Sequence, residues 1–177
     1  MLTRSALANL VSATVVLGLS TMGVAGTAVA NAAPDSSPTN SQNQAALNHL
    51  ASTLPTGYDT SNCAVGTPNA PAVASLECGK YPASGGPAGT LYYQYTSSDG
   101  LNADFANVLG NVRVTACLDG SESPGEWGYG QQSTGLRACA IIKSSPAVIW
   151  TNEADLTMVV TFGADSENLL QWWESVA

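Results

Sequence analysis

The side chains best equipped for chemistry lie between two cysteines. Cys117 and Cys139 flank Leu118–Gly135, LDGSESPGEWGYGQQSTG, where Trp127 and Tyr129 sit among Gly125, Gly128 and Gly130, with Asp119, Glu122 and Glu126 nearby. Aromatic rings on a glycine-rich loop can stack on a sugar ring or an apolar ligand, and carboxylates accept hydrogen bonds from hydroxyls. Trp127, Tyr129, Glu122 and Glu126 are therefore the candidate ligand-binding residues. A second outcome stays open, in which Trp127 folds back as a plug over a sheet. Eighteen residues with five glycines and no apolar period cannot be helix or strand along their whole length. A loop of that size in a compact domain is usually functional or disordered.

Groups for covalent or acid–base catalysis are scarce. The sequence has no G-x-S-x-G elbow, no H-E-x-x-H, no P-loop and no G-x-G-x-x-G ahead of a helix. The single histidine, His49, lies beside an apolar helical stripe and reads as a surface or rim residue. Glu122/Glu126 and Glu153/Asp155 are carboxylate pairs that could in principle hydrolyse a glycosidic bond. Each is read more simply as solvated loop charge. The acidic residues match no EF-hand spacing, and no C-x-x-C spacing exists for zinc. No metal site and no cofactor is assigned. A non-catalytic binding module is the leading expectation. A carboxylate-dependent secreted hydrolase and a secreted structural or interaction protein are the competing classes.

The amino-terminal segment sets the compartment. Arg4 precedes the uncharged, weakly apolar stretch Ala6–Leu19, and Ala28-Val29-Ala30 is an A-x-A cleavage site. This is the layout of a secretory signal peptide over residues 1–30. Its apolar run, broken by Ser12, Thr14, Ser20 and Thr21, is short for a membrane span of about 20 residues. Residues 31–44, rich in Pro, Ser and Asn, read as a disordered linker, and 45–177 as a single extracytoplasmic domain. Four cysteines in an exported chain read as two disulfides. Of the three pairings, Cys63–Cys78 and Cys117–Cys139 close local loops and are preferred. Loss of Arg4 takes the formal charge from −8 to −9, with Lys80, Arg113, Arg137 and Lys143 against thirteen acidic residues. That balance argues against a nucleic acid or an anionic membrane surface as partner. A small molecule, an envelope component or a protein remains.

The elements that must position these residues are legible as periodicities. Leu47, Leu50, Ala51 and Leu54 mark a short helix over Ala45–Leu54, stopped before Pro55. Ala72–Cys78, Thr90–Thr96 and Val112–Ala116 read as strands, with a helix marked by Leu101, Phe105, Val108 and Leu109. Leu91, Tyr93 and Tyr95 share one strand face, and Tyr92 and Gln94 the other. Leu136–Ile142, Ala147–Thr151 and Leu156–Phe162 are apolar strands separated by the turns Ser144–Pro146 and Asn152–Asp155. Short turns favour antiparallel hairpins, because a parallel pair needs a crossover of about a dozen residues. The alternation in Leu156–Phe162 fits one buried face. Asp165 is a helix N-cap, and Leu169, Trp172, Trp173 and Val176 follow at helical spacing. The neighbouring tryptophans point about 100° apart, which allows one in the core and one at its rim. The order strand, strand, helix occurs twice. The fold class expected is α+β, an antiparallel sheet with about three helices on it, stapled by two disulfides.

Several short segments together carry a resemblance: LPTGY (Leu54–Tyr58) before Cys63, SLECG (Ser75–Gly79), SPGEW (Ser123–Trp127), VIWTN (Val148–Asn152) and Trp172-Trp173. Over Leu47–Trp173 the chain resembles small extracytoplasmic mycobacterial domains that occur as secreted proteins and as ectodomains behind membrane-bound serine/threonine kinases. The resemblance implies a sensor or ligand-binding role outside the membrane. No kinase motif precedes the domain here, and no ligand residues carry over.

Overall fold

The longest apolar alternations in the sequence form the centre of the sheet. In the computed structural model, which describes residues 38–129 and 132–177, the elements run α1 (Pro38–Ser52), β1 (Cys63–Val65), β2 (Ala74–Cys78), β3 (Gly89–Gln94), α2 (Ser98–Gly110), β4 (Arg113–Thr115), β5 (Gly125–Tyr129), β6 (Gln132–Ile142), β7 (Ser145–Asn152), β8 (Thr157–Phe162) and α3 (Ser166–Val176). The expected signal peptide, and the linker as far as residue 37, lie outside the described residues. Among the described residues no helix is long and apolar enough to cross a membrane.

All strand pairs are antiparallel, in the order β1-β2-β3-β8-β7-β6-β4, with β5 also paired to β6. The α+β class and both disulfides are as expected: Cys63–Cys78 joins β1 to β2, and Cys117–Cys139 ties the chain after β4 to β6. Two disulfides fit an oxidising compartment.

Helices cover both faces of the sheet. On one face Leu76, Tyr92, Val148, Trp150 and Val159 pack with Leu50 of α1 and with Leu169, Leu170, Trp172 and Trp173 of α3. On the other, Ala138, Ala147, Ile149, Met158 and Val160 pack with Leu101 and Phe105 of α2. Leu156–Phe162 was expected to bury one face. Instead Thr157, Val159 and Thr161 are buried as well as Met158 and Val160, because this strand lies mid-sheet between helical layers. The repeated strand–strand–helix order does not extend to position, since α2 and α3 lie on opposite faces.

Each helix start has a local cause. The Ser97 hydroxyl accepts from Gly100 N at 3.2 Å, and the Asp165 carboxylate accepts from Asn168 N at 2.9 Å. Helix α1 starts at Pro38, not Ala45, so the second half of the expected linker is helical. Proline is well suited to a first helical turn, having no N–H to leave unpaired, and the helix continues through the polar residues that follow. Trp172 and Trp173 are both buried, not one in the core and one at the rim. They fork around Trp150, whose ring lies 6.4 Å from each. Burying such side chains contributes about 2–3 kcal/mol each before chain entropy is counted.

Two turns differ from expectation. The β6–β7 turn is Lys143-Ser144, with φ of 47° and 79°, and Ser145 and Pro146 belong to β7. Two residues at positive φ make the type I′ geometry that matches strand twist. The larger difference is Leu118–Gly135, which is only half loop. Residues Gly125–Tyr129 form β5 and pair with the first part of β6, while β4 pairs with its second part. The glycines that argued against a strand are what permit this one. The register shifts between Trp127 and Gly128, where a β-carbon on Gly128 would collide with the Gln132 carbonyl.

Candidate ligand pocket

The structure pairs two of the four candidate binding residues, Trp127 and Tyr129, and leaves Glu122 and Glu126 exposed. Trp127 is 9% exposed, and its Nε1 donates to the Thr151 carbonyl of β7 at 2.9 Å. Gly135 lies opposite Trp127 across the hairpin and makes this docking possible, because a β-carbon there would overlap the Thr151 carbonyl. The Trp127 ring meets Trp173 edge-on at 5.5 Å and Tyr129 at 6.5 Å. Tyr129 is 69% exposed and donates its hydroxyl to the Ala177 carbonyl. Glu122 and Glu126 are exposed. Trp127 thus folds inward as a plug, with Tyr129 against its ring.

A buried cation fastens the base of the loop. Arg137 on β6 is 5% exposed and donates to Asp119 Oδ2 at 2.8 Å and to the Ser121 hydroxyl, and its guanidinium stacks 4.2 Å above Trp173. Burial raises the Asp119 pKa, but bonds from the Ser121 hydroxyl and N–H and the Arg137 charge outweigh it. Its carboxyl is held below the usual range. Ser123 completes the fastening by accepting from Cys139 N at 2.9 Å.

Beneath the plug lies a cavity of about 190 Å³ whose lining includes Trp127, Trp150, Tyr92, Asn152, Asp155 and Thr157. Four strands and a turn supply these groups. Tyr92 on β3 and Trp150 on β7 both pair with Val159 of β8, so they share the α1/α3 face. The β7–β8 turn supplies Asp155, whose Oδ2 accepts from Asn152 Nδ2 at 2.9 Å. Asn152 Oδ1 in turn accepts from the N–H groups of Ala154 (3.0 Å) and Asp155 (3.2 Å), which fixes the turn. The Nε2 of His49 in α1 lies 4.0 Å from Asp155 Oδ1. That is too long for the hydrogen bond that orients a catalytic histidine.

Tyr92 is the distinctive member. It is 4% exposed, and its hydroxyl, fully buried, has no hydrogen-bond partner among the described residues. Burial, with Tyr58 and Tyr81 adding to it, pushes its pKa far above that of a free phenol, so the hydroxyl stays neutral. An unpaired buried hydroxyl costs about 1–3 kcal/mol, and this one presents no accessible surface to the cavity.

Arg137 and Tyr92 carried no functional signal in the sequence, though Tyr92 stood on the right strand face. Trp150 and Asn152 were visible within the VIWTN segment, and Asp155 was considered only as half of a carboxylate pair. Comparison with protein-family models, with curated protein sequences and with solved structures finds no significant match.

Proposed function

We propose that this protein is a non-catalytic, extracytoplasmic binding or sensor-like module, and that the aromatic-walled pocket behind Trp127 takes a small polar ligand such as an envelope-derived sugar unit or a polar end group of a larger envelope component. The observation that carries this reading is the cavity itself, which gathers Trp127, Trp150 and Tyr92 with Asn152, Asp155 and Thr157. Size supports it: a cavity of about 150 Å³ holds benzene, so about 190 Å³ suits a single ring and little more. Trp127 and Trp150 supply ring surface, and Asp155 and Thr157 supply polar groups, the combination that orients small ligands in pre-formed sites. Export of the chain and kinship with the mycobacterial ectodomains would place that ligand outside the cell membrane.

A hydrolase is the less favoured reading. Glycoside hydrolysis by side chains needs two carboxyl groups flanking one bond, and Asp155 is the only acidic side chain in the lining.

The test is a thermal-shift and tryptophan-fluorescence screen of single-ring sugars and polar end groups, run on the disulfide-bonded protein and on Asp155→Ala, which removes an exposed polar group of the lining. A ligand that stabilises the wild type and loses at least fivefold in affinity in Asp155→Ala supports the pocket. Equal binding by both proteins refutes it.

A further inference from the structure

We infer that Tyr129 is an oxidative modification site, the residue at which one-electron oxidation of this protein comes to rest, fed by a relay of aromatic rings that runs through the core to the surface. The inference is independent of the ligand pocket.

The rings form one connected path. Tyr81 meets Trp172 at 5.5 Å between centroids, and Trp172 meets Trp150 at 6.4 Å. Trp150 meets Trp173 at 6.4 Å, Trp173 meets Trp127 at 5.5 Å, and Trp127 meets Tyr129 at 6.5 Å. All four tryptophans of the chain lie on this path. Each step is an edge-to-face contact, an arrangement that brings rings within van der Waals reach. Electron transfer between rings in contact is fast, so an electron vacancy placed on any indole samples the whole path.

Proton loss decides where the vacancy stops. Indole and phenol radical cations are strong acids, and the vacancy is trapped where that proton can leave. In the core it cannot. The Nε1 groups of Trp172 and Trp173 are fully buried without a partner among the described residues, and that of Trp127 donates to the Thr151 carbonyl, a poor base. Trp173 also has the Arg137 guanidinium 4.2 Å from its ring, which opposes a second positive charge there. A side branch leads from Trp172 through Tyr58 to Tyr92, but it offers no base either. Tyr58 bonds only the Gly79 carbonyl and the Thr90 hydroxyl, and the Tyr92 hydroxyl bonds nothing among the described residues.

The two ends of the path differ. Tyr81 is half-buried, with its hydroxyl donated to the Thr56 carbonyl. Tyr129 is 69% exposed, so water reaches its phenol. A phenol that can release its proton to water is easier to oxidise than an indole near neutral pH, and the last transfer runs downhill. The balance is simple. A one-electron oxidant, such as an azide or peroxyl radical, takes an electron from an indole and becomes its anion. The indole radical cation recovers an electron from Tyr129, whose phenolic proton passes to water and leaves a phenoxyl radical. Two such radicals on different molecules join through ring carbons, and the ring hydrogens move to the oxygens, giving dityrosine.

The experiment is pulse radiolysis of the disulfide-bonded protein with azide radicals, which oxidise indole in preference to phenol near neutral pH. The expected result is decay of the tryptophanyl absorbance matched by growth of the tyrosyl absorbance, with one first-order rate constant at every protein concentration. Tyr129→Phe should lower the tyrosyl yield at least fivefold and Tyr81→Phe less than twofold. Trp127→Phe, which keeps a ring and removes the oxidisable indole, should slow the growth at least tenfold. Peptide mapping after sustained exposure should find dityrosine joining two copies of Tyr129. The concentration series on the wild type and the change at exposed Tyr129 stand even if a core variant folds poorly. Tyrosyl growth that quickens with protein concentration, an unchanged tyrosyl yield in Tyr129→Phe, or oxidation that stays on the tryptophans of the wild type would overturn the inference.

Discussion

Replacing Arg137 with methionine is the sharpest test of how the loop and the pocket wall are held. Methionine keeps much of the apolar stem and deletes the guanidinium. Three contacts are lost: the charged bond to Asp119 at 2.8 Å, the bond to Ser121, and the stack over Trp173 at 4.2 Å. A hydrogen bond to a charged group contributes about 1.5–3 kcal/mol, and a partly desolvated cation–π contact about 1 kcal/mol. Asp119 is 28% exposed at its side chain and regains some hydration, so the orphaned carboxylate costs less than a fully buried one. The expected loss is about 3 kcal/mol, read from urea denaturation with disulfides intact and an unchanged m-value. A double-mutant cycle with Asp119→Asn should show coupling of about 1.5–2 kcal/mol. The pH dependence has a definite sign. The folded-state pKa of Asp119 is depressed relative to the unfolded chain, so its contribution is complete above the unfolded value of about 4 and fades as pH falls through the folded value. The wild type and Asp119→Asn should therefore converge in stability as pH falls through the folded-state value and differ by a constant amount from pH 5 to 8. A loss under about 1 kcal/mol in Arg137→Met, or zero coupling at pH 7, would refute the assignment of Arg137 as the fastening of the loop.

Three further outcomes follow from the same contacts. Gly135→Ala places a β-carbon against the Thr151 carbonyl that receives the Trp127 indole bond; it should cost about 1–3 kcal/mol in urea denaturation and shift tryptophan emission to the red as Trp127 leaves its site. Lys143→Asn with Ser144→Gly fits the two positive-φ positions of the β6–β7 turn; scanning calorimetry should show a rise of about 1 kcal/mol in stability, or about 3 °C in Tm. Tyr92→Phe removes a hydroxyl that has no partner among the described residues, so without ligand the variant should match or exceed the wild type in stability. A loss above about 2 kcal/mol would mean that the hydroxyl is satisfied in the folded protein.

What the sequence disclosed, and what it withheld, follows from the range of the forces involved. The alternations in β3, β7 and β8 were readable because side chains two residues apart share a face, whatever the sheet later packs against. Tyr92 and Gln94 were correctly placed opposite Leu91, Tyr93 and Tyr95, and the local disulfides followed from short loop closure. Strand β5 was hidden because its stability comes from across the sheet: Trp127 gains a bond from Thr151, 24 residues away, and Gly128 and Gly135 are tolerated only since backbone crowds both positions. Strand β1, three residues long at the edge of the sheet, carries almost no pattern of its own. The site fared in the same way. Composition marked out Trp127, yet the features that give the pocket its chemistry depend on register: Tyr92 and Trp150 flank Val159, and a turn residue on β8's approach faces the end of α1.

The inward fold of Trp127 changes what selects the ligand. On an exposed loop tip, a ring and two flexible glutamates would adapt to many partners and lose conformational freedom on binding any of them. Here the ring is fixed by the Thr151 carbonyl and by Trp173, which is itself held by Arg137 at the disulfide-closed base of the loop. The pocket wall is therefore already ordered before anything enters, and little conformational entropy remains to be lost. Selectivity then rests on the polar groups the wall leaves open, the half-exposed Asp155 carboxylate first among them. Loosening the wall through Arg137→Met should for that reason weaken all ligands of the pocket by a similar factor, whereas Asp155→Ala should weaken only those that bond to its carboxylate. If Arg137→Met leaves their affinities unchanged, the fastening of the loop does not reach the pocket wall.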